Sequence, residues 1–187
     1  MATHRESRSI ALAAESLFDI VADVERYPEF VPLMREARIV RRHGDVYETE
    51  QSLELGLLRH RFRTRTELSR PHGITIVSSD RSFCRFDIRW AFSALGERHC
   101  HVEFALDCAA RSLFLIPVIE MLVLPMASSM VSAFETRAHA LAANAARVDA
   151  ATESGAGSSL LVAGEPGRPR SSGGPVGNGE VRRQDER

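Results

Sequence analysis

The chain has 187 residues, 44% of them hydrophobic and 26% charged, with a formal net charge of -1. That balance fits one globular domain with an appendage. It excludes bulk attraction to nucleic acid or anionic lipid and leaves only local patches for such partners.

All 24 residues counted as Lys or Arg are arginines, a usage that reads as genome base composition rather than a binding requirement. Cys84, Cys100 and Cys108 form neither a CxxC nor a metal-ligand spacing. Cys100 and Cys108 share a predicted strand, along which they stand roughly 26 Å apart, too far for a disulfide. All three read as small buried hydrophobes in a reducing compartment. The opening MATHRESRSI has no apolar signal core. The run Leu113–Met126 holds about 14 residues with Glu120 inside it, short of the roughly 20 that a membrane span requires. A cytoplasmic location is expected, with peripheral contact at the inner face of a membrane as the form of membrane association left open.

Residues 4–12 predict a first strand of weak alternation. Ala13-Ala14-Glu15-Ser16 opens a helix with Leu17, Phe18, Ile20, Val21 and Val24 on its apolar face, and Pro28 stops it. Tyr27-Pro28-Glu29-Phe30-Val31-Pro32 predicts a short helix or turn docked on a sheet. From Arg35 the period becomes two, with Ala37, Ile39 and Arg41 alternating with Arg38, Val40 and Arg42. After the turn His43-Gly44-Asp45, Tyr47, Thr49, Gln51, Leu53 and Leu55 share one face and Glu48, Glu50, Ser52 and Glu54 the other. Gly56-Leu57 makes a two-residue hairpin. Beyond it Arg59, Arg61, Arg63 and Arg65 oppose His60, Phe62, Thr64, Thr66 and Leu68. Strands follow over 74–79, around Phe86–Phe92 and over 100–108, with turns at Pro71-His72-Gly73 and Ala94-Leu95-Gly96-Glu97.

The stretch Ser112–Arg147 lacks strand alternation. Met126 or Ala127, Met130, Val131, Phe134, Ala138 and Leu141 recur at steps of three and four, which predicts a long helix with one apolar face. Its first part, punctuated by Pro117 and Pro125, is apolar almost all round, so it is expected to be covered on every side. Strand, helical pair, six tightly connected antiparallel strands and a long helix make an α+β fold, a helix lying across a curved sheet. The domain is expected to end at residue 147. The remainder, 148–187, holds eight of the 12 glycines and three of the eight prolines and is expected to be a disordered tail.

The conspicuous charged feature is the arginine ladder at 59, 61, 63 and 65. It fits a phosphate-binding face, or a solvated face neutralised by Glu54, Glu50 and Glu48 across the hairpin. Leu57 and Leu58 at the tip suit either a membrane interface or a neighbouring loop. His99 and His101 share an outer face without the third ligand a metal site needs. Glu120 is either solvent-reaching or a polar contact in a cavity. No GxSxG, HExxH, P-loop or GxGxxG is present. No catalytic or metal residue is assigned, and the weight falls on a binder rather than an enzyme.

Leu17-Phe18-Asp19-Ile20-Val21-Ala22-Asp23-Val24-Glu25-Arg26-Tyr27-Pro28-Glu29-Phe30-Val31-Pro32 resembles the opening signature of the coenzyme Q-binding START-domain family, a branch of the polyketide cyclase/dehydrase-like superfamily. Trp90-Ala91-Phe92 resembles the family's tryptophan strand, and Met130–Ala138 resembles its closing helix. The resemblance covers about residues 3–145. It departs at Arg81-Ser82-Phe83, where the family often has Gly-Pro-Phe, and at Leu33, where it has an aromatic.

The resemblance implies a helix-grip (START-like) fold and ubiquinone, or a similar prenyl lipid, as a bound rather than covalent ligand, in support of respiration and quinone biosynthesis. Bacterial members are also described as ribosome-association toxins that obstruct subunit joining, which makes the ribosome an alternative partner. DNA is not expected as one. A cyclase-like enzyme is a second alternative. An isoprenoid carrier needs a large apolar cavity. Phe18, Val21, Phe30, Phe62, Phe86, Trp90, Phe104, Val118, Leu122, Met126, Met130 and Phe134 are the residues expected to line it, with Tyr27 as a polar contact near its mouth. Pro117 and Pro125 are expected to loosen the helix start into a gate.

Overall fold

The computed structural model describes residues 1–156. Residues 157–187, which make up most of the expected tail, lie outside the described residues.

Seven antiparallel strands form one curved sheet: β1 (Ala2–Ile10), β2 (Met34–His43), β3 (Val46–Leu55), β4 (Leu58–Ser69), β5 (Gly73–Val77), β6 (Phe83–Gly96) and β7 (His99–Ala110). Their order is β1-β7-β6-β5-β4-β3-β2. Short turns make β2 to β7 a meander, and β1 returns to pair with β7. Between β1 and β2 lie α1 (Ala14–Ala22) and a 3-10 helix over Val24–Glu29, which accommodates Pro28. The expected α+β helix-grip architecture is what the chain adopts.

The β3–β4 hairpin has the register that the alternation implies. Leu55 faces Leu58 across Gly56-Leu57, and Glu54, Ser52, Glu50 and Glu48 face Arg59, Arg61, Arg63 and Arg65. Gly56 has φ +60°, a conformation that glycine adopts without strain. In β2 a bulge between Ile39 and Arg41 resets the alternation. Arg41 therefore stands opposite Glu48, on the same face as Arg38, and not with Ile39 as strict alternation implies; the extra residue of a bulge shifts everything after it by one position. β1 begins and ends two residues earlier than expected, because its pairing with β7 runs from Ala2 opposite Cys108 to Ile10 opposite Cys100. β6 continues through Ala94 to Gly96, and the turn falls at Glu97-Arg98, since a second bulge near Gly96 lets the pairing persist to His99.

The closing helix starts irregularly. A 3-10 turn at Leu113–Leu115 leads into the short α2 (Ile116–Val118), then a π turn at Ile119–Val123, and finally α3 (Leu124–Ala156). Pro125 has no N–H for the carbonyl four residues back, so a regular α ladder cannot run through this point, and the wider π turn immediately precedes it. α3 runs on past Val148 to Ala156.

The core lies between the concave sheet face and the helix. Met126, Ala127, Met130, Val131, Phe134 and Ala138 are buried as the period predicts, whereas Leu141 is exposed. The stretch Leu113–Asn144 contains an 18-residue window with a mean hydropathy of 1.9 and is, by length and composition, long and apolar enough to cross a membrane. Its second half is apolar because it packs on the sheet. Its first part is not covered on every side, contrary to expectation: Leu113, Phe114, Ile116 and Met121 face outward. Polar ties complete the packing. Arg70 donates to both carboxylate oxygens of Asp19 at 2.9 and 2.8 Å, holding the β4–β5 turn to α1. Arg137 donates to Glu29 at 2.7 Å. Glu25 accepts from the Ile39 N–H at 3.0 Å, occupying one donor on the β2 edge.

Candidate functional site

Two places carry the chemistry that the residues suggest: the contact between helix and sheet, and an arginine-lined groove beside it.

The helix–sheet contact gathers nearly all the expected cavity residues. Phe18, Val21, Tyr27, Phe62, Phe86, Trp90, Phe104, Val118, Leu122, Met126, Met130 and Phe134 are buried, and Phe30 is partly so. They meet one another. The Phe134 ring stands 5.0 Å from Phe30, 5.1 Å from Tyr27 and 5.3 Å from Trp90, which in turn lies 4.7 Å from Phe104. Phe62, Phe83, Phe86 and His60 form a second aromatic group. Val21, Leu122, Val123 and Phe134 have 0% of their surface free. No hollow that holds a water adjoins these four side chains, so this part of the expected cavity lining is closely packed. The reason is complementary shape: edge-to-face rings and flexible methionines take up the space.

The Tyr27 hydroxyl is not available at a mouth. It donates to the Val21 carbonyl at 2.5 Å, and burial pushes its pKa well above the ordinary value. Tyr47 donates likewise to the Ala22 carbonyl at 3.0 Å, and burial raises it to about 12.

The inward faces of β3 and β4 also hold a polar cluster that apolar patterning does not reveal. The Thr49 and Thr64 hydroxyls lie 2.7 Å apart, and the Gln51 amide donates to them at 2.9 and 3.1 Å. The signal was present as polar residues at inward positions of alternating strands. His60, also inward, has its Nε2 buried without a hydrogen-bond partner among the described residues, and desolvation lowers its pKa, against an opposing pull from Asp80. The Trp90 indole N–H is likewise unpartnered. Burial raises the pKa of the Cys100 thiol and takes that of Cys108 to about 11, so both remain thiols at neutral pH. Cys84, expected inside, is exposed on β6.

The groove has a volume of about 1090 Å³ and opens to solvent. Pro28, Ala37, Gln51 and Phe62 form its less charged wall; Arg38, Glu50, Arg61 and Arg63 are among its charged lining, with Ser79-Asp80-Arg81 beside them. Of the expected ligand residues, Phe62 is the one that reaches it. Its arginines are held in place. Glu50 accepts from Arg38 Nε at 3.2 Å and from Arg63 Nε at 2.9 Å, and these two guanidinium groups lower its pKa. Arg61 reaches Glu36 at 2.9 Å, and Arg59 reaches Glu54 at 3.2 Å. Arg65 faces Glu48 in register but pairs with its own-strand Glu67 at 2.6 Å. The ladder is thus largely paired, while each guanidinium keeps half or more of its side-chain surface in solvent.

His99 and His101 stand on the outer face, and His101 lies 3.8 Å from Glu103. Among the described residues no group of three or more His, Cys, Asp or Glu side chains is placed to hold a metal ion. Glu120 points to solvent.

Comparison with known proteins matches residues 10–135 to the family described as polyketide cyclase / dehydrase and lipid transport. Over 142 residues the chain is 31% identical to the ribosome association toxin RatA of Pseudomonas aeruginosa, covering 75% of this chain and 99% of that protein. An 18 kDa protein of Caulobacter crescentus, solved in solution, superposes with a TM-score of 0.60 at 28% identity, covering 76% of this chain and 99% of that one. The Zhui aromatase/cyclase of Streptomyces sp. R1128 superposes with a TM-score of 0.64 at 13% identity, over 74% and 93% of the two chains.

Proposed function

Because the chain belongs to the polyketide cyclase, dehydrase and lipid transport family, we propose for it a non-catalytic binding role, and specifically association with the ribosome. The observation that carries this reading is its likeness, along nearly the whole of that protein, to a relative named for ribosome association. The geometry is in keeping with it. Arg61 and Arg63 stand out from the sheet face, paired with Glu36 and Glu50 but largely in solvent, where a guanidinium can meet a phosphate.

Gradient sedimentation of the full chain with purified ribosomal subunits tests the proposal. Co-migration with the large subunit is expected, weakening as salt rises and lost in Arg61→Glu/Arg63→Glu. Absence of co-migration, or co-migration indifferent to charge reversal, overturns it.

A second reading, carriage of ubiquinone or another prenyl lipid, is favoured by the groove, whose Phe62, Ala37 and Pro28 offer apolar wall and whose volume suits a folded isoprenoid chain. Mass spectrometry of an organic extract of the folded protein decides it: co-purifying quinone supports carriage, and none over repeated preparations rejects it.

A further inference from the structure

One end of the molecule is apolar where it faces solvent. The β3–β4 hairpin tip puts Leu57 out with 105% of its surface free, and Leu55 beside it is exposed. The start of the closing helix puts out Leu113 at 81%, Phe114 at 93% and Met121 at 49%. These segments share one end because the chain ties them together. His60, just past the hairpin, packs edge-on against Phe83 at 5.7 Å, and Phe83 pairs with Ala110 at the end of β7. The Arg111 N–H then donates to the Ser82 carbonyl at 3.0 Å, two residues before Leu113. The π turn carrying Met121 packs on β3.

We propose that this end docks on a membrane, the hairpin tip and helix start dipping into the interfacial layer of an anionic bilayer. Leu57, Leu113, Phe114 and Met121 gather at one end, and an apolar patch that packing within the chain leaves open marks a contact surface. They come from two separate segments, the β3–β4 hairpin tip and the 3-10 and π turns of the helix start. A fluid medium without fixed shape accommodates such points. Charge complements the choice. Arg81 and Arg111, both exposed at this end, have no carboxylate within 4.0 Å among the described residues; Arg111 donates to the Phe83 carbonyl at 3.3 Å and keeps further N–H groups for lipid phosphates. Glu120 is the exposed carboxylate on the helix start, and it sits next to Met121. The proposal does not depend on ribosome association: Arg61 and Arg63 take no part in it, although Arg81 also borders their groove.

Flotation of the full chain with vesicles of phosphatidylcholine, with and without phosphatidylglycerol, tests it. Binding is expected on the phosphatidylglycerol vesicles, with at least a tenfold loss in Leu57→Asn/Phe114→Asn and a smaller loss in Arg81→Gln/Arg111→Gln. A Leu57→Trp variant adds a direct readout: its emission shifts to the blue on vesicle addition, while buried Trp90 contributes a constant background. No flotation, flotation unchanged by the apolar substitutions, or an unshifted Leu57→Trp spectrum overturns the proposal. So does concentration-dependent self-association of the wild type abolished by the same pair, which assigns the patch to a second copy.

Discussion

Arg8 on β1 donates through Nη1 to Glu135 on α3 at 2.8 Å, so the outermost strand is tied to the long helix by an ion pair. The same guanidinium reaches Ser132 at 3.2 Å and pairs with Glu6. The contact raises the Arg8 pKa above its ordinary value, with the Glu135 hydrogen bond as the main cause. Because the Arg8 side chain is 39% exposed, Glu135→Gln is expected to cost no more than about 1 kcal/mol, less at high salt. Urea unfolding at two salt concentrations checks both statements.

Tyr27→Phe removes the hydroxyl that satisfies the Val21 carbonyl near the end of α1. A buried acceptor left without its donor is expected to lower stability by about 1–3 kcal/mol with the fold intact. Thermal unfolding followed by circular dichroism measures it.

Phe134→Ala leaves a hole among Tyr27, Phe30 and Trp90, all within 5.3 Å of the lost ring. The expected loss is about 3–5 kcal/mol, enough to bring a marginal domain close to unfolding at room temperature. Leu57→Ser, at the solvent-filled hairpin tip, is expected to stay within about 0.5 kcal/mol of wild type. Trp90 fluorescence in parallel denaturant titrations compares the two.

The pH dependence has a defined sign. Desolvation lowers the folded-state pKa of His60 below its ordinary 6.5, so the unfolded chain binds the proton more readily. The stability linked to His60 is therefore whole above pH 6.5 and is lost as pH falls from there through the folded pKa. Asp80, whose pKa lies below its ordinary 3.8, adds a further loss below that value. A His60→Phe variant is expected to flatten the slope in the upper window and to weaken but not abolish the lower one, which the Ser82 hydrogen bonds to Asp80 sustain, as measured by unfolding free energy across pH.

Glu50→Gln removes the carboxylate shared by Arg38 and Arg63. On this exposed face stability should change little, while both guanidinium groups become free for phosphate. Co-sedimentation with ribosomal subunits is expected to strengthen and its salt dependence to steepen. Weaker binding would mean that Glu50 orients the arginines rather than competing for them.

Much of the site was legible in the residues for a local reason. Side chains two apart in a strand share a face, and a two-residue turn fixes which residues oppose each other, so the pairing of Glu50 with Arg63 follows from the string around Gly56-Leu57. Arg38 joining the same carboxylate, and Arg41 changing faces at the bulge, depend on a strand contact that alternation does not encode. Alternation put Thr49, Gln51 and Thr64 on the inward faces, but the hydrogen bonds that join them depend on side-chain geometry that alternation does not encode.

By itself the sequence determined the meander, the buried stripe of α3 and the helix-grip plan, since these follow from period, turn chemistry and the need to bury one face of each element. Tertiary structure alone decided how closely the rings pack around Phe134, because that depends on how side chains interlock across layers distant in the chain. It also decided which apolar residues stay outside. Leu113, Phe114 and Met121 look like core by composition, and only the place where the sheet ends leaves them in solvent.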